Sequence, residues 1–131
     1  AKGGKSYGDQ LPVTSSQFLA TEGFQVPYFI ASQEGEPISG LGLHAYGGYA
    51  RELAAWNTPS CLAEGLGGGD AIKWEVIKWC TAHGIGTYDL AGIRLQPDNP
   101  KEVGIARFKK KWTRTIVPAV SLRTQRAFVS A

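Results

Sequence analysis

Two stretches, Gly86-Thr-Tyr-Asp-Leu-Ala-Gly-Ile93 and Val103-Gly-Ile-Ala-Arg-Phe-Lys-Lys-Lys-Trp112, carry the strongest structural signals in this 131-residue chain. The first is typical of a buried strand that ends in a tight, glycine-containing turn. The second is typical of a short helix that carries a Phe-Lys pair into a basic cluster. A strand followed by a helix in this way is the repeating unit of α/β proteins.

Two helices are predicted from capping signals and apolar spacing. Asn99-Pro100-Lys101-Glu102 has the pattern of a capping box with proline at the first helical position, and its helix should run to about Lys111. Apolar residues at helical spacing predict an earlier helix over residues 70–83. Asp70 is its expected N-cap, and Gly84 can end it in the left-handed conformation.

Alternating apolar and polar residues predict the strands. They cover residues 26–31, 38–45, 49–56, 85–90 and 116–122. The first three are separated by short turns, one of them at Gly47-Gly48, and predict an antiparallel meander. The last contains Pro118, which suits an edge strand. The predicted order β-β-β-α-β-α-β indicates a mixed α/β sheet.

Length and composition fit one folded domain, because 131 residues with 43% hydrophobic content can bury about two-thirds of the unfolded surface. We expect residues 1–24 to be irregular, residues 25–122 to form the domain, and residues 123–131 to form a basic tail. No apolar run approaches the roughly 20 residues that span a bilayer, and no signal-peptide pattern opens the chain. The default expectation is a cytoplasmic protein.

The charge and cysteine patterns limit the partners and cofactors. The last 31 residues carry a net charge of +7, whereas the first 100 carry −4. A cationic C-terminal region favours an anionic partner such as nucleic acid, and a solvated helix face is the alternative. Cys61 and Cys80 lack the spacing of metal ligands and are expected to be free, buried thiols, so we expect no metal site.

The pair Tyr88-Asp-Leu-x-Gly92 on a strand and Arg107-Phe-Lys109 on the following helix resembles the C-terminal part of the FemABX family. These proteins are GNAT-like (Gcn5-related N-acetyltransferase-like) enzymes that move aminoacyl groups from charged tRNA onto peptidoglycan precursors. The resemblance covers about residues 24–117. It implies the later elements of a GNAT fold, with the first strand and two helices missing, as in a shortened member or a fragment.

The resemblance implies transfer of an acyl or aminoacyl group to an amine without a metal or redox cofactor. It places Lys109 near the reacting ester, where an ammonium would stabilise the developing oxyanion, or on the terminal adenosine phosphate of tRNA. Phe108 would pack under the lysine stem or against the adenine. The family motif usually continues to Phe-Gly, whereas this chain reads Lys111-Trp112-Thr113.

Four further residues belong to the implied site. Arg107, Tyr88 and Gly92 would contribute to substrate binding. Asp89 ends an apolar strand and is a candidate general base; the alternative is a carboxylate that holds the glycine turn by hydrogen bonds.

A glycine-rich loop precedes the first predicted helix and offers amide groups at a helix N-terminus, where anions can bind. In GNAT acetyltransferases the equivalent loop grips the pyrophosphate of coenzyme A. The glycines are Gly65, Gly67, Gly68 and Gly69. The Arg/Gln position of that pattern is Leu62 or Glu64 here, and a glutamate would repel phosphate. We therefore expect weak or no binding of coenzyme A, and the resemblance to FemABX implies aminoacyl-tRNA as donor and a peptidoglycan precursor as acceptor. The alternatives are an acyl-CoA-dependent N-acyltransferase and a non-catalytic or nucleic-acid-binding remnant.

Three aromatic or imidazole side chains are expected to have structural roles and no function in catalysis or binding. Trp74 and Trp79 diverge by about 140° around a helix, so one should join the core and the other should be partly exposed. His44 lies alone in a strand and is expected to be structural.

Overall fold

The computed structural model describes residues 11–94 and 96–119. These residues form two compact units, one within residues 1–92 and one within residues 93–131. The described part of the first unit contains five strands and two helices, and that of the second contains one helix. The elements are β1 (Val13–Thr21), β2 (Phe24–Gln33), β3 (Glu36–Tyr46), β4 (Tyr49–Asn57), α1 (Pro59–Glu64), α2 (Gly68–Ala82), β5 (Thr87–Asp89) and α3 (Pro100–Trp112).

The five strands form one mixed sheet in the order β1-β2-β3-β4-β5. The first four strands are antiparallel neighbours, and β5 lies parallel to β4. Gly47 and Gly48 make the turn between β3 and β4 with φ of +59° and +77°, a conformation that suits a two-residue hairpin turn. The predicted meander, its Gly-Gly turn and the mixed α/β sheet are confirmed.

The two faces of the sheet differ because side chains alternate along each strand. One face, the helix-covered face, contributes Phe29, Leu41, Leu43, Ala45 and Ala50 to a buried core shared with Ile72, Val76 and Cys80 of α2. The opposite face, called the open face below, carries Tyr28, Gly40, Gly42, His44, Tyr49, Arg51, Trp56 and Asp89 by register. Neighbouring residues on one strand can therefore belong to unrelated environments.

The irregular segment predicted over residues 1–24 is wrong for Val13–Thr21, which pairs along β2 and is the outermost of the described strands on that side. Its central residues, Thr14 to Gln17, are polar and exposed, so the apolar alternation that identifies a strand is absent. Backbone hydrogen bonds to β2 stabilise the segment instead. Residues 1–10 lie outside the described chain.

Two other elements differ from the predicted order. The short helix α1 was not predicted, although Thr58 as N-cap and Pro59 at the first helical position are its sequence signals. Residues 116–119 of the predicted last strand are not in a strand, and residues 120–122 lie outside the described chain. The order over the described residues is thus β-β-β-β-α-α-β-α.

The N-cap of helix α2 lies three residues before the predicted one. Its N-cap is Gly67, with φ +75°, and Asp70 lies inside the first turn, where the helix dipole favours a carboxylate. Gly84 adopts φ +68° directly after the C-cap residue His83, as the sequence predicted for the helix stop. Gly68 at the start of α2 packs closely on β3, because a Cβ atom there would overlap Ser39 Oγ.

We expect Gly68→Ala to lower the free energy of unfolding by about 1–3 kcal/mol, because the added methyl group forces the start of α2 away from the sheet. The measurement is urea denaturation. Gly86→Ala is the control, since a Cβ atom at Gly86 would meet nothing within 4 Å. Equal losses for the two variants would contradict close packing at Gly68.

Helix α3 begins as predicted. Asn99 Oδ1 accepts a hydrogen bond from the Glu102 backbone N–H at 2.9 Å, and Pro100 occupies the first helical position. Glu102 Oε2 in turn accepts from the backbone N–H of Asp98 at 2.8 Å, one residue before the partner expected in a capping box. The helix ends at Trp112, one residue beyond the predicted end. No helix among the described residues has the length and apolar character needed to cross a membrane.

Candidate functional site

Asp89 lies at the carboxyl end of β5 and accepts two hydrogen bonds. Its Oδ2 accepts from the Tyr49 hydroxyl, and its Oδ1 accepts from the Ala91 backbone N–H at 2.8 Å. Ala91 has φ +66°, a left-handed conformation that L-residues rarely adopt. The carboxylate therefore holds the turn after β5, as one of the two sequence interpretations proposed, and its role as a general base stays a prediction.

Asp89 belongs to a row of polar side chains across three strands of the open face. Arg51 of β4 is the register partner of both Asp89 of β5 and His44 of β3. Tyr49 lies two residues before Arg51 and completes this polar row. The hydrogen bond to Asp89 raises the pKa of the Tyr49 hydroxyl, so the phenol stays protonated and acts as the donor. The row offers a carboxylate, a guanidinium, an imidazole and a phenol within one surface.

The residues next to this row form a second polar group under α2. Glu52 Oε2 contacts Lys73 Nζ and accepts a hydrogen bond from the Tyr88 hydroxyl at 2.5 Å. The Lys73 and Glu52 side chains are only 3% and 9% exposed. Lys73 Nζ also lies 5.8 Å from the centre of the Tyr88 ring. Thus Tyr88, expected to bind substrate, lies on the helix-covered face with its hydroxyl group on Glu52.

The buried group of Glu52, Lys73 and Tyr88 was not predicted from the sequence. A signal existed in α2, since Lys73 precedes the buried residues Val76 and Cys80 by three and seven positions and so shares their side of the helix. The partner of Lys73 carried no such signal, because Glu52 lies on a strand whose second half is exposed.

Burial, together with the charge of Glu52 and the hydrogen bond to it, raises the pKa of the Tyr88 hydroxyl. The unfolded chain ionises Tyr88 near its ordinary pKa of about 10, whereas the folded protein keeps the proton. Stability from this hydroxyl is therefore complete below about pH 10 and is lost as the pH rises further.

We expect the free energy of unfolding to fall less steeply above about pH 10 in Tyr88→Phe than in the wild type, because the variant has no phenol to ionise on unfolding. Urea denaturation at several pH values from about 8 to 11 measures the slopes. Tyr46→Phe is the control, because that ring is 68% exposed. A wild-type slope in Tyr88→Phe would show that Tyr88 does not hold its proton in the folded state.

The glycines of the predicted phosphate loop have structural roles. Gly65 ends α1 with φ +60°, Gly67 caps α2 with φ +75°, and Gly68 packs against β3. Gly69 is half-buried in the first turn of α2, and Glu64 at the end of α1 is exposed. Because the fold itself requires three of the four glycines, their presence does not indicate a bound phosphate.

The predicted residues of α3 lie in the second compact unit, whereas Asp89 and Tyr88 lie in the first. Arg107 on α3 is exposed, and Phe108 and Lys109 are half-buried. The next two lysines are exposed, and Lys111 Nζ lies 5.0 Å from the centre of the Phe108 ring. Lys109 thus differs in environment from the lysines that follow it. Gly92, at the end of the first unit, is exposed.

The thiols and aromatic side chains take the expected positions. Cys61 and Cys80 are free and buried, and burial raises the pKa of the Cys80 thiol. Trp74 is exposed, whereas the Trp79 ring packs edge-on against Phe29 in the core. Within residues 11–94 and 96–119, no cluster of three or more His, Cys, Asp or Glu side chains could hold a metal ion.

Comparison with known proteins identifies no family. No protein-family model matches the chain, and no curated protein sequence matches it.

Proposed function

We propose that the protein transfers an acyl or aminoacyl group to an amine, as its resemblance to FemABX transferases implies. The observation that carries the proposal is the parallel pair β4–β5, connected through α1 and α2. Pairing stops at Asp89, the last residue of β5, while β4 continues to Asn57. In open α/β sheets, ligands bind in the crevice beyond the carboxyl ends of parallel strands, which is where Asp89 lies.

Asp89 supplies the proton acceptor for this reaction. The amine nitrogen attacks the ester carbonyl and forms the new C–N bond, and its proton passes to the carboxylate. The C–O bond of the ester then breaks, and the departing alcohol takes the proton back from Asp89. The hydrogen bonds from Tyr49 and Ala91 hold both carboxylate oxygens in place for this transfer.

The resemblance to FemABX transferases alone assigns Lys109, in the second compact unit, the positive charge that stabilises the tetrahedral intermediate. The carbonyl oxygen becomes negative when the amine attacks, and a preorganised ammonium stabilises it best where water is partly excluded. The half-buried position of Lys109, next to the half-buried Phe108 and before two exposed lysines in the basic last turn of α3, supports this assignment.

Aminoacyl-tRNA is the proposed donor, and a peptidoglycan precursor is the acceptor that the resemblance implies. A coenzyme A donor would need the glycine loop for its pyrophosphate. Three of those glycines already have structural roles, and the exposed carboxylate of Glu64 lies beside them. These observations favour tRNA over coenzyme A.

We expect calorimetric titration with acetyl-CoA to show weak or no binding, because Glu64 repels the pyrophosphate and no Arg or Gln lies in register to hold it. Glu64→Gln is the matched variant and should bind no more weakly than the wild type. A dissociation constant in the low micromolar range for the wild-type protein would favour the acyl-CoA-dependent alternative.

The proposal as a whole is tested by incubating the longest natural form of the protein with alanyl-tRNA and a peptidoglycan precursor. The expected result is an amide-linked alanyl product, formed faster than the spontaneous hydrolysis of the ester. Binding of tRNA without any amide product would favour the non-catalytic alternative.

A further inference from the structure

In the middle of the sheet, the open face consists of small residues. Gly40 and Gly42 are alternate residues of β3, and Ala54 of β4 is the register partner of Gly42. Glycine in a strand interior lowers stability and often marks a place where a ligand or another backbone approaches closely.

The two glycines have different surroundings. A Cβ atom at Gly40 would overlap the indole ring of Trp56, so the absence of a side chain lets that ring lie across β3. A Cβ atom at Gly42 would meet nothing within 4 Å, so no protein contact requires glycine there. Among the described residues, the space above Gly42 is open, and Trp56 covers the adjacent position.

Aromatic and polar side chains surround this space. Trp56 is 44% exposed, so one face of its ring covers Gly40 while part of the ring meets solvent. Tyr28, the β2 partner of Gly42, is 39% exposed. His44 follows two residues after Gly42 and begins the polar row, whose Arg51 is exposed. Flat aromatic rings beside a few hydrogen-bonding groups are the usual composition of a small-molecule site.

Both nucleic-acid bases and sugar rings stack on aromatic side chains, and the charge of the protein helps to distinguish between these two kinds of ligand. Residues 11–92 contain three basic and eight acidic side chains, a net charge of −5. Of the open-face residues named above, however, only Arg51 and Asp89 are charged, so this face has balanced charge and offers little electrostatic attraction to a polyanion such as single-stranded nucleic acid. A sugar ring carries no charge, presents C–H groups to an aromatic face, and directs its hydroxyl groups toward donors and acceptors at the edge.

We propose that the open face binds an uncharged hexopyranose chain, with one sugar ring above Gly42 against Trp56 and its hydroxyl groups on the polar row. This inference does not depend on acyl transfer. Arg51 donates to the sugar hydroxyl groups, and Tyr28 forms the second aromatic side of the site.

The test is an NMR titration of the full chain with cellohexaose and, separately, with chitohexaose, followed by backbone amide shifts. Saturable shifts confined to β3 and β4 are expected for at least one of the two sugars. Trp56→Ala should weaken binding about tenfold, whereas Trp74→Ala should not change it. Trp74 is the matched control because it lies on α2 and is also 44% exposed.

Gly42→Val separates ligand binding from folding. Valine suits a strand and fits the open space, so the protein should stay folded, yet the side chain fills the sugar site. Loss of binding in this variant with an unchanged unfolding transition supports the proposal. Three results would overturn it: no binding of either hexasaccharide, undiminished binding by Gly42→Val, or tighter binding of a single-stranded oligoadenylate to the same face.

Discussion

Replacement of Lys73 by alanine is expected to lower the free energy of unfolding by about 3–5 kcal/mol, the largest stability effect in the first compact unit. The variant leaves the Glu52 carboxylate buried without its cation. The Tyr88 hydroxyl still donates to Glu52, but one hydrogen bond cannot compensate a charge removed from water. Urea denaturation measures the loss.

Two control variants identify the cause of this loss. Lys78→Ala removes the exposed ion pair with Glu75 on the same helix, at 2.6 Å, and should cost less than about 1 kcal/mol. The double variant Glu52→Gln/Lys73→Met removes both buried charges and should recover most of the stability lost in Lys73→Ala, because a buried pair contributes little net stability. A double variant as unstable as Lys73→Ala would show that packing, and not an unpaired charge, causes the loss.

Replacement of Lys109 by alanine is expected to slow amide-forming transfer from aminoacyl-tRNA by about 30-fold to 1000-fold. This range corresponds to the roughly 2–4 kcal/mol that one preorganised donor to an oxyanion provides. Successive residues on a helix point about 100° apart, so the following lysines cannot take its place. The measurement compares single-turnover rates for the longest natural form of the protein.

The neighbouring lysines provide the matched controls. Lys110→Ala and Lys111→Ala remove the same charge from exposed positions of α3 and should each change the rate by less than about threefold. Circular dichroism of the three variants checks that the helix persists. Equal rates for all three variants would show that the lysines only form a solvated basic face of α3 and that none of them is catalytic.

Local signals were sufficient for much of the fold. The antiparallel meander follows from period-2 alternation, and the turn at Gly47-Gly48 follows from the positive φ that the hairpin requires. The start of α3 follows from a cap made between residues three apart, Asn99 and Glu102. Each of these features depends on neighbours in sequence, so their identity can be read without the tertiary structure.

Edge elements were harder to predict. β1 has a run of exposed polar residues, Thr14 to Gln17, and is stabilised by backbone pairing with β2, which leaves little trace in the side-chain pattern. The start of α2 was predicted at Asp70 because aspartate is a preferred cap, yet Gly67 caps the helix so that Gly68 can approach Ser39. That contact crosses from the helix to β3 and cannot be seen in a local window.

The sequence by itself determined where several strands, turns and helices begin and end, and how unevenly charge is distributed. It also contains the motifs around Asp89 and Lys109. These features depend on residue type and on short spacing. Only the tertiary structure decided which side chains meet. Alternation along β4 and β5 sends Arg51 and Asp89 to the open face but Glu52 and Tyr88 under α2. Glu52 lies 21 residues before Lys73 and 36 residues before Tyr88 in the sequence. These side chains meet only when β5 pairs parallel to β4 beneath the helix.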